Sequence, residues 1–253
     1  MIFGRASEAH LSEKAVFRLL DVPMRKRIAL ICLGAALSGL LAASAATAAM
    51  VGLYRNEMGS TAARAQLIKI AGANCARGGS KEALKVTIGK KTEACSFRTP
   101  VLGRDLEIGA TERLLSGTPK AQLKRSYLGL ELRAGGGVKY QLLVYPLQRK
   151  AQLIKHTAEG PEFFDIAKNV PGIMGVNKAN PLRLRALQIR TGPEKGRTAV
   201  AGFVGAEKVV EGIDALPGDL SGEASAAVVG AANNGDGVVA SIDDLVVRAP
   251  VHF

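Results

Sequence analysis

Residues 126–155 read SYLGLELRAGGGVKYQLLVYPLQRKAQLIK, and apolar and polar residues alternate on both sides of the AGGG at 134–137. Alternation with a period of two marks a strand that buries one face, and a glycine-rich break between two such runs is where a hairpin turns. The pattern recurs in ALKVTI, RDLEIGA, LRLRALQI, TAVAGFVG, EKVVEGI, SAAVVGA and GVVASIDDLVV, with further turns at Gly205 and at NNGDG (233–237). One segment, TERLLSGTPKAQ, reads as a short helix. Many short strands without crossover helices predict an all-β antiparallel sandwich of the jelly-roll kind rather than a parallel sheet. With no internal repeat and no second composition class, one domain over 80–253 is the simplest count.

The N-terminal part has a different character. Ile28 to Tyr54 is an uncharged stretch bounded by Arg27 and Arg55, long enough to cross a bilayer with some tilt. Arg25, Lys26 and Arg27 precede it, and the positive-inside bias puts residues 1–27 in the cytoplasm and the long C-terminal part outside. Within that leader, SEKAVFRLLDVP has the apolar spacing of a short amphipathic helix. Residues 55–79 are rich in small side chains and read as a juxtamembrane spacer. The alternative is a cleaved signal peptide, for which Ala46, Thr47 and Ala48 supply an A-x-A site; the domain would then be secreted. In both readings the sandwich is exported. Cysteine use agrees: Cys32 falls in the apolar stretch, leaving Cys75 and Cys95 to pair in an oxidising compartment. Such a bond closes a loop worth about 3 kcal/mol in the chain-entropy model. His10, His156 and His252 are far apart in the sequence, so no histidine cluster suggests zinc.

The order of SYLGLELRAGGGVKYQLLVYP, ANPLRLRALQI, AVAGFVGAEKVVEGID and ASAAVVGAANNGDGVVASIDDLVVRAP resembles the concanavalin A-like lectin/glucanase (laminin G-like) jelly rolls of bacterial surface proteins. The matching positions are Gly129, Leu130 and Arg133, then Tyr140, Leu142 and Val144, then Val204 and Gly205, and finally Ile242 through Val247. Ile242 stands where an aromatic is usual, and Ala206 follows Gly205 where an Asn-Gly turn is expected. The resemblance implies hydrolysis of glycans, binding of glycans, or protein interaction.

Residues distinguish these uses. Glycoside hydrolysis needs two carboxyls flanking the scissile bond, and relatives of this fold carry them as E-x-D-x-E on one strand. No such triplet occurs; Asp105 and Glu107 come nearest, and Glu131 has Gly129 and Arg133 two positions away. Catalysis is therefore not expected. Trp is absent, and among the aromatic rings Phe163 and Phe164, in a loop-like PEFFD, are the exposed candidates for stacking on sugar. Asp243 and Asp244 are adjacent on the closing strand, so one should face inward, and the pair is a candidate for a structural calcium site or for a carboxylate bonded to the protein. The chain carries a net charge of +12, and 28 basic against 19 acidic residues lie beyond Tyr54. Arg133, Lys139, Arg149, Lys150, Arg183 and Arg185 are expected to line one basic face. Nucleic acid fits that charge but not an exported domain, and no nucleic-acid motif is present. The expectation is a membrane-anchored, non-catalytic domain that binds an anionic envelope glycan or polymer, with a surface protein as the alternative partner.

Overall fold

The computed structural model describes residues 49–251 apart from 80–81, 134–136, 216–221, 224–225 and 233. Two antiparallel sheets face each other. Sheet A contains β1 (Met50–Asn56), β3 (Cys75–Gly79), β4 (Leu84–Ile88), β7 (Leu106–Leu114), β12 (Asn180–Gln188), β13 (Thr198–Val204), β14 (Glu207–Asp214) and β17 (Val239–Pro250). Its order is β14-β13-β12-β7-β17-β4-β3, with β1 also paired to β17. Sheet B contains β2 (Ile68–Ala71), β5 (Ala94–Arg98), β8 (Ser126–Arg133), β9 (Lys139–Tyr145), β10 (Lys150–Thr157), β11 (Gly160–Ala167) and β16 (Ala226–Ala231), in the order β11-β10-β9-β8-β16-β5-β2. A small ladder joins β6 (Leu102–Gly103) to β15 (Gly222–Glu223). Among the described residues the α-helices are α1 (Thr61–Ala65) and α2 (Lys120–Leu123), with one 3-10 turn at Pro146–Gln148.

Alternation explains the layers. Leu128, Leu130 and Leu132 of β8 and Tyr140, Leu142 and Val144 of β9 are buried against Ile108, Ala110 and Leu114 of β7 and Leu182 and Leu184 of β12. Intervening residues of each strand therefore point away from the sandwich, and these outward faces are where ligands have access.

Several expectations change. Met50–Tyr54, read as the end of an apolar span, belong to β1 and pair with the outer half of β17. At 12 residues β17 is long enough to pair first with β4 and then with β1. Residues 1–48, including the leader and most of that span, lie outside the described residues, among which no helix is long and apolar enough to cross a membrane. The expected spacer at 55–79 is part of the domain: Met58 and Leu67 lie in its core, Ser60 caps α1 by accepting the Ala63 N–H at 3.0 Å, and β2 and β3 join different sheets. Small-residue content hid this, because two apolar side chains anchor a 25-residue stretch. NNGDG is not a hairpin turn, since β16 and β17 belong to opposite sheets. PEFFD is not a loop but the middle of β11.

Asp243 and Asp244 depart from strict alternation. Ile242 and Leu245 on either side are both fully buried, while Asp244 has φ 48° and the register to β7 shifts between Asp243 and Val246. A β-bulge thus keeps both carboxyls off the core, where neither needs a buried partner. Asp243 accepts the Asp244 N–H at 2.8 Å, and Arg55 lies 3.9 Å from Asp244. Among the described residues, no group of three or more His, Cys, Asp or Glu side chains is placed to hold a metal ion. Cys75 and Cys95 form the expected disulfide, which ties β3 of sheet A to β5 of sheet B.

Candidate functional site: the outward face of sheet B

The hairpin β8–β9 sets Glu131 opposite Gln141 and Arg133 opposite Lys139, and the turn after β9 sets His156 opposite Lys139 and Ile154 opposite Gln141. All these positions share the outward face. The Gln141 amide donates to Glu131 Oε2 at 2.6 Å, and His156 Nε2 lies 2.8 Å from Gln141 Oε1. Because that Gln oxygen is an acceptor, His156 must donate through Nε2, which leaves Nδ1 as its acceptor in the neutral ring. Burial and the Lys139 charge hold the His156 pKa below its ordinary value, with Glu131 opposing, so the neutral ring is the form present at pH 7. Lys139 Nζ stands 3.3 Å from Glu131 Oε2.

Glu131 is only 1% exposed although its strand position faces outward, so the row lies recessed. Beside it Tyr127, Leu143, Tyr145 and Ile154 form a separate apolar cluster on the same face. Tyr127 and Tyr145 meet edge to face at 5.6 Å, and Lys150 lies over the Tyr145 ring at 3.9 Å. Burial raises the pKa of both tyrosines and lowers that of Lys150. Phe163 of β11 is paired with Ile154 and is 56% exposed, extending the row to the sheet edge with a free ring. Phe164 turns the other way at the adjacent bulge and packs on the core, 6.3 Å from Tyr140.

The floor of this face is held from within. Gly129, two residues before Glu131, donates its N–H to Glu112 Oε2 at 3.0 Å across the sandwich. A Cβ at Gly129 would lie 2.3 Å from the Leu142 carbonyl, so only glycine fits there. Glu112 is fully buried, Oε1 has no partner among the described residues, and burial pushes its pKa well above the usual value of 4.5. Burial thus favours the protonated form of this acid, which is fixed under the strand that carries Glu131.

The expected basic face divides in two. Lys139 and Lys150 lie on sheet B, Arg149 is exposed in the turn after β9 in a left-handed conformation, and the Arg133 side chain lies outside what is described. Arg183 and Arg185 lie on the outward face of sheet A, on the far side of the sandwich, because Leu182, Leu184 and Ala186 take the core positions of β12. Charge counting could not separate the faces, since strand-to-sheet assignment is not written in composition. Glu131 was weighed only as a catalytic carboxyl and His156 only as a zinc ligand, and Gln141 escaped notice because it carries no motif; counting register outward from the AGGG and Pro146–Arg149 turns would have placed them together.

No protein-family model matches the sequence, and a search of curated proteins returns no match. Solved structures do share the architecture. The chain is similar to the carbohydrate binding module CBM66 from Bacillus subtilis, with TM-score 0.52 and 12% identity over 73% of this chain and 96% of that one. It is similar to a protein of unknown function with galectin-like fold from Bacillus subtilis, with TM-score 0.57 and 13% identity over 80% and 98% of the two chains. A Bacillus licheniformis beta-glucanase superposes with TM-score 0.54 and 9% identity over 79% and 99%. Sheet order, core and these superpositions agree that the chain has the concanavalin A-like jelly-roll fold.

Proposed function

We propose that this chain is an exported, non-catalytic carbohydrate-binding domain that takes a glycan on the outward face of sheet B. The observation that carries the reading is the row Glu131, Gln141, His156 and Phe163, in which fixed hydrogen-bonding groups stand beside an exposed ring. A sugar offers hydroxyls and an apolar C–H face together, and this pairing of groups matches both. Structural neighbours that bind or act on carbohydrate add support from the fold. The non-catalytic reading rests on Glu131 being the one carboxyl in that row among the described residues, whereas glycoside hydrolysis uses two. Export is supported by the disulfide and by the apolar run 28–48, which is long enough for either an anchor or a signal segment.

The test is titration of the full-length chain with soluble neutral polysaccharides, β-glucans among them, followed by Phe163→Ala and Gln141→Ala. Phe163 is exposed, so its removal leaves the core intact, and loss of one stacking ring should weaken binding by about tenfold. Absence of binding to every glycan, or binding unchanged in both variants, would remove this reading.

A further inference from the structure

We infer that the outward face of sheet A carries a second site, for the phosphate or carboxylate groups of an anionic polymer, built from Arg183, Arg185 and Arg248 around Glu107. Glu107 points away from the core of β7, is 1% exposed, and is surrounded by the three guanidinium groups. Arg185 donates two hydrogen bonds to Oε2 at 2.9 and 2.6 Å, and Arg248 donates to Oε1 at 3.0 Å. Both oxygens are thereby satisfied. Arg183 approaches only to 3.7 Å and donates instead to the Gly205 carbonyl at 3.2 Å.

Three permanent positive charges therefore share one carboxylate, leaving two in excess within the cluster. Lys208 on β14, two strands from β12, is already paired with Glu211, and Arg55 with Glu57, so these add no further net charge. The cations are also fixed in place. Arg183 and Arg185 stack on the Phe203 ring at 4.6 and 5.3 Å, and the Arg183 stem crosses Gly109, where a Cβ would come within 3.2 Å of it. Their side chains remain 29% and 28% exposed, and that of Arg248 40%. Immobilised guanidinium forks match the geometry of phosphate and carboxylate oxygens and lose little freedom on binding them. A bound anion also relieves the mutual repulsion of the three cations. Since β12 and β17 lie in the sheet opposite β8–β11, this site is independent of the proposed glycan row.

The experiment measures binding of the full-length chain to polyphosphate and to polygalacturonate over a salt series. Arg183→Gln with Arg248→Gln removes the two excess charges and leaves the Arg185–Glu107 pair in place. Lys120→Gln with Lys124→Gln removes the same charge from the exposed surface around α2. Saturable, salt-weakened binding to either polymer is expected, reduced on the order of tenfold in the arginine variant and by less than about twofold in the lysine variant. The polymer bound more tightly identifies the group. No binding to either polymer, or equal losses in the two variants, would overturn the inference. Neutral-glycan binding should be unchanged by the arginine substitutions, so the two sites fail or stand separately.

Discussion

A single buried acid controls how β8 sits. Glu112 has one oxygen on the Gly129 N–H and the other without a partner among the described residues, and it is fully buried. Its folded pKa lies above the unfolded value, so its contribution to stability is present at acid pH and is lost as pH rises towards the folded pKa. The slope is up to about 1.4 kcal/mol per pH unit over that window. Glu112→Gln removes the titration while keeping an oxygen to accept the Gly129 N–H. Urea unfolding at pH 5 and pH 8 should show the wild type losing stability relative to the variant as pH rises by more than about 1 kcal/mol. A pH-independent difference would show that Glu112 stays charged in the fold. In the sequence this glutamate fell in TERLLSGTPKAQ, read as a short helix; the first part of that segment is instead the end of β7 and only Lys120–Leu123 is helical, so nothing marked Glu112 as a buried strand residue.

At the scale of elements, the alternating runs were legible and the irregular ones were not. Each run with period-two patterning became a strand, because the rule depends only on which face is buried. β1, β2, β3 and β11 escaped that rule: β1 is exposed at Val51 and Leu53, β3 is mostly small residues, and Phe163 and Phe164 break alternation at a bulge. The Asp243–Asp244 bulge broke the inference that adjacent strand residues face opposite ways. Edge strands also depend on side chains that come from elsewhere. Lys155 of β10 and Tyr140 of β9 both reach Asp214 of β14, at 2.8 Å each, so the far ends of the two sheets meet through one buried carboxylate. Asp214→Asn leaves Lys155 with its main partner gone and should cost about 3–5 kcal/mol. Chemical denaturation reads this directly, and a loss under about 1 kcal/mol would mean that Glu162, 3.8 Å from Lys155, or water carries the charge.

Across the whole molecule, the two sheets are joined at opposite ends by different chemistry. The Asp214 cluster links β14 with β9 and β10, while the Cys75–Cys95 bond links β3, the last strand of sheet A, with β5 of sheet B. β3 contributes few core contacts: Cys75 packs at its margin and the other four residues are exposed. Its attachment therefore rests on the ladder to β4 and on the covalent bond, which the sequence already predicted between Cys75 and Cys95. Closing a loop of this size restricts the unfolded chain by about 3 kcal/mol, which for a domain of this length corresponds to a fall in Tm of roughly 6–12 °C when the bond is removed. Thermal unfolding of the Cys75→Ala/Cys95→Ala chain should show that fall, and reductant should bring the wild type down to the same midpoint. Glycan binding at 25 °C should survive, because β8 to β11 lie on the other side of β16 and β5 from β2, away from the cross-linked end. A midpoint unchanged by both treatments would show that the β3–β4 ladder alone holds the edge, and a loss of glycan binding would show that the bond shapes the whole of sheet B.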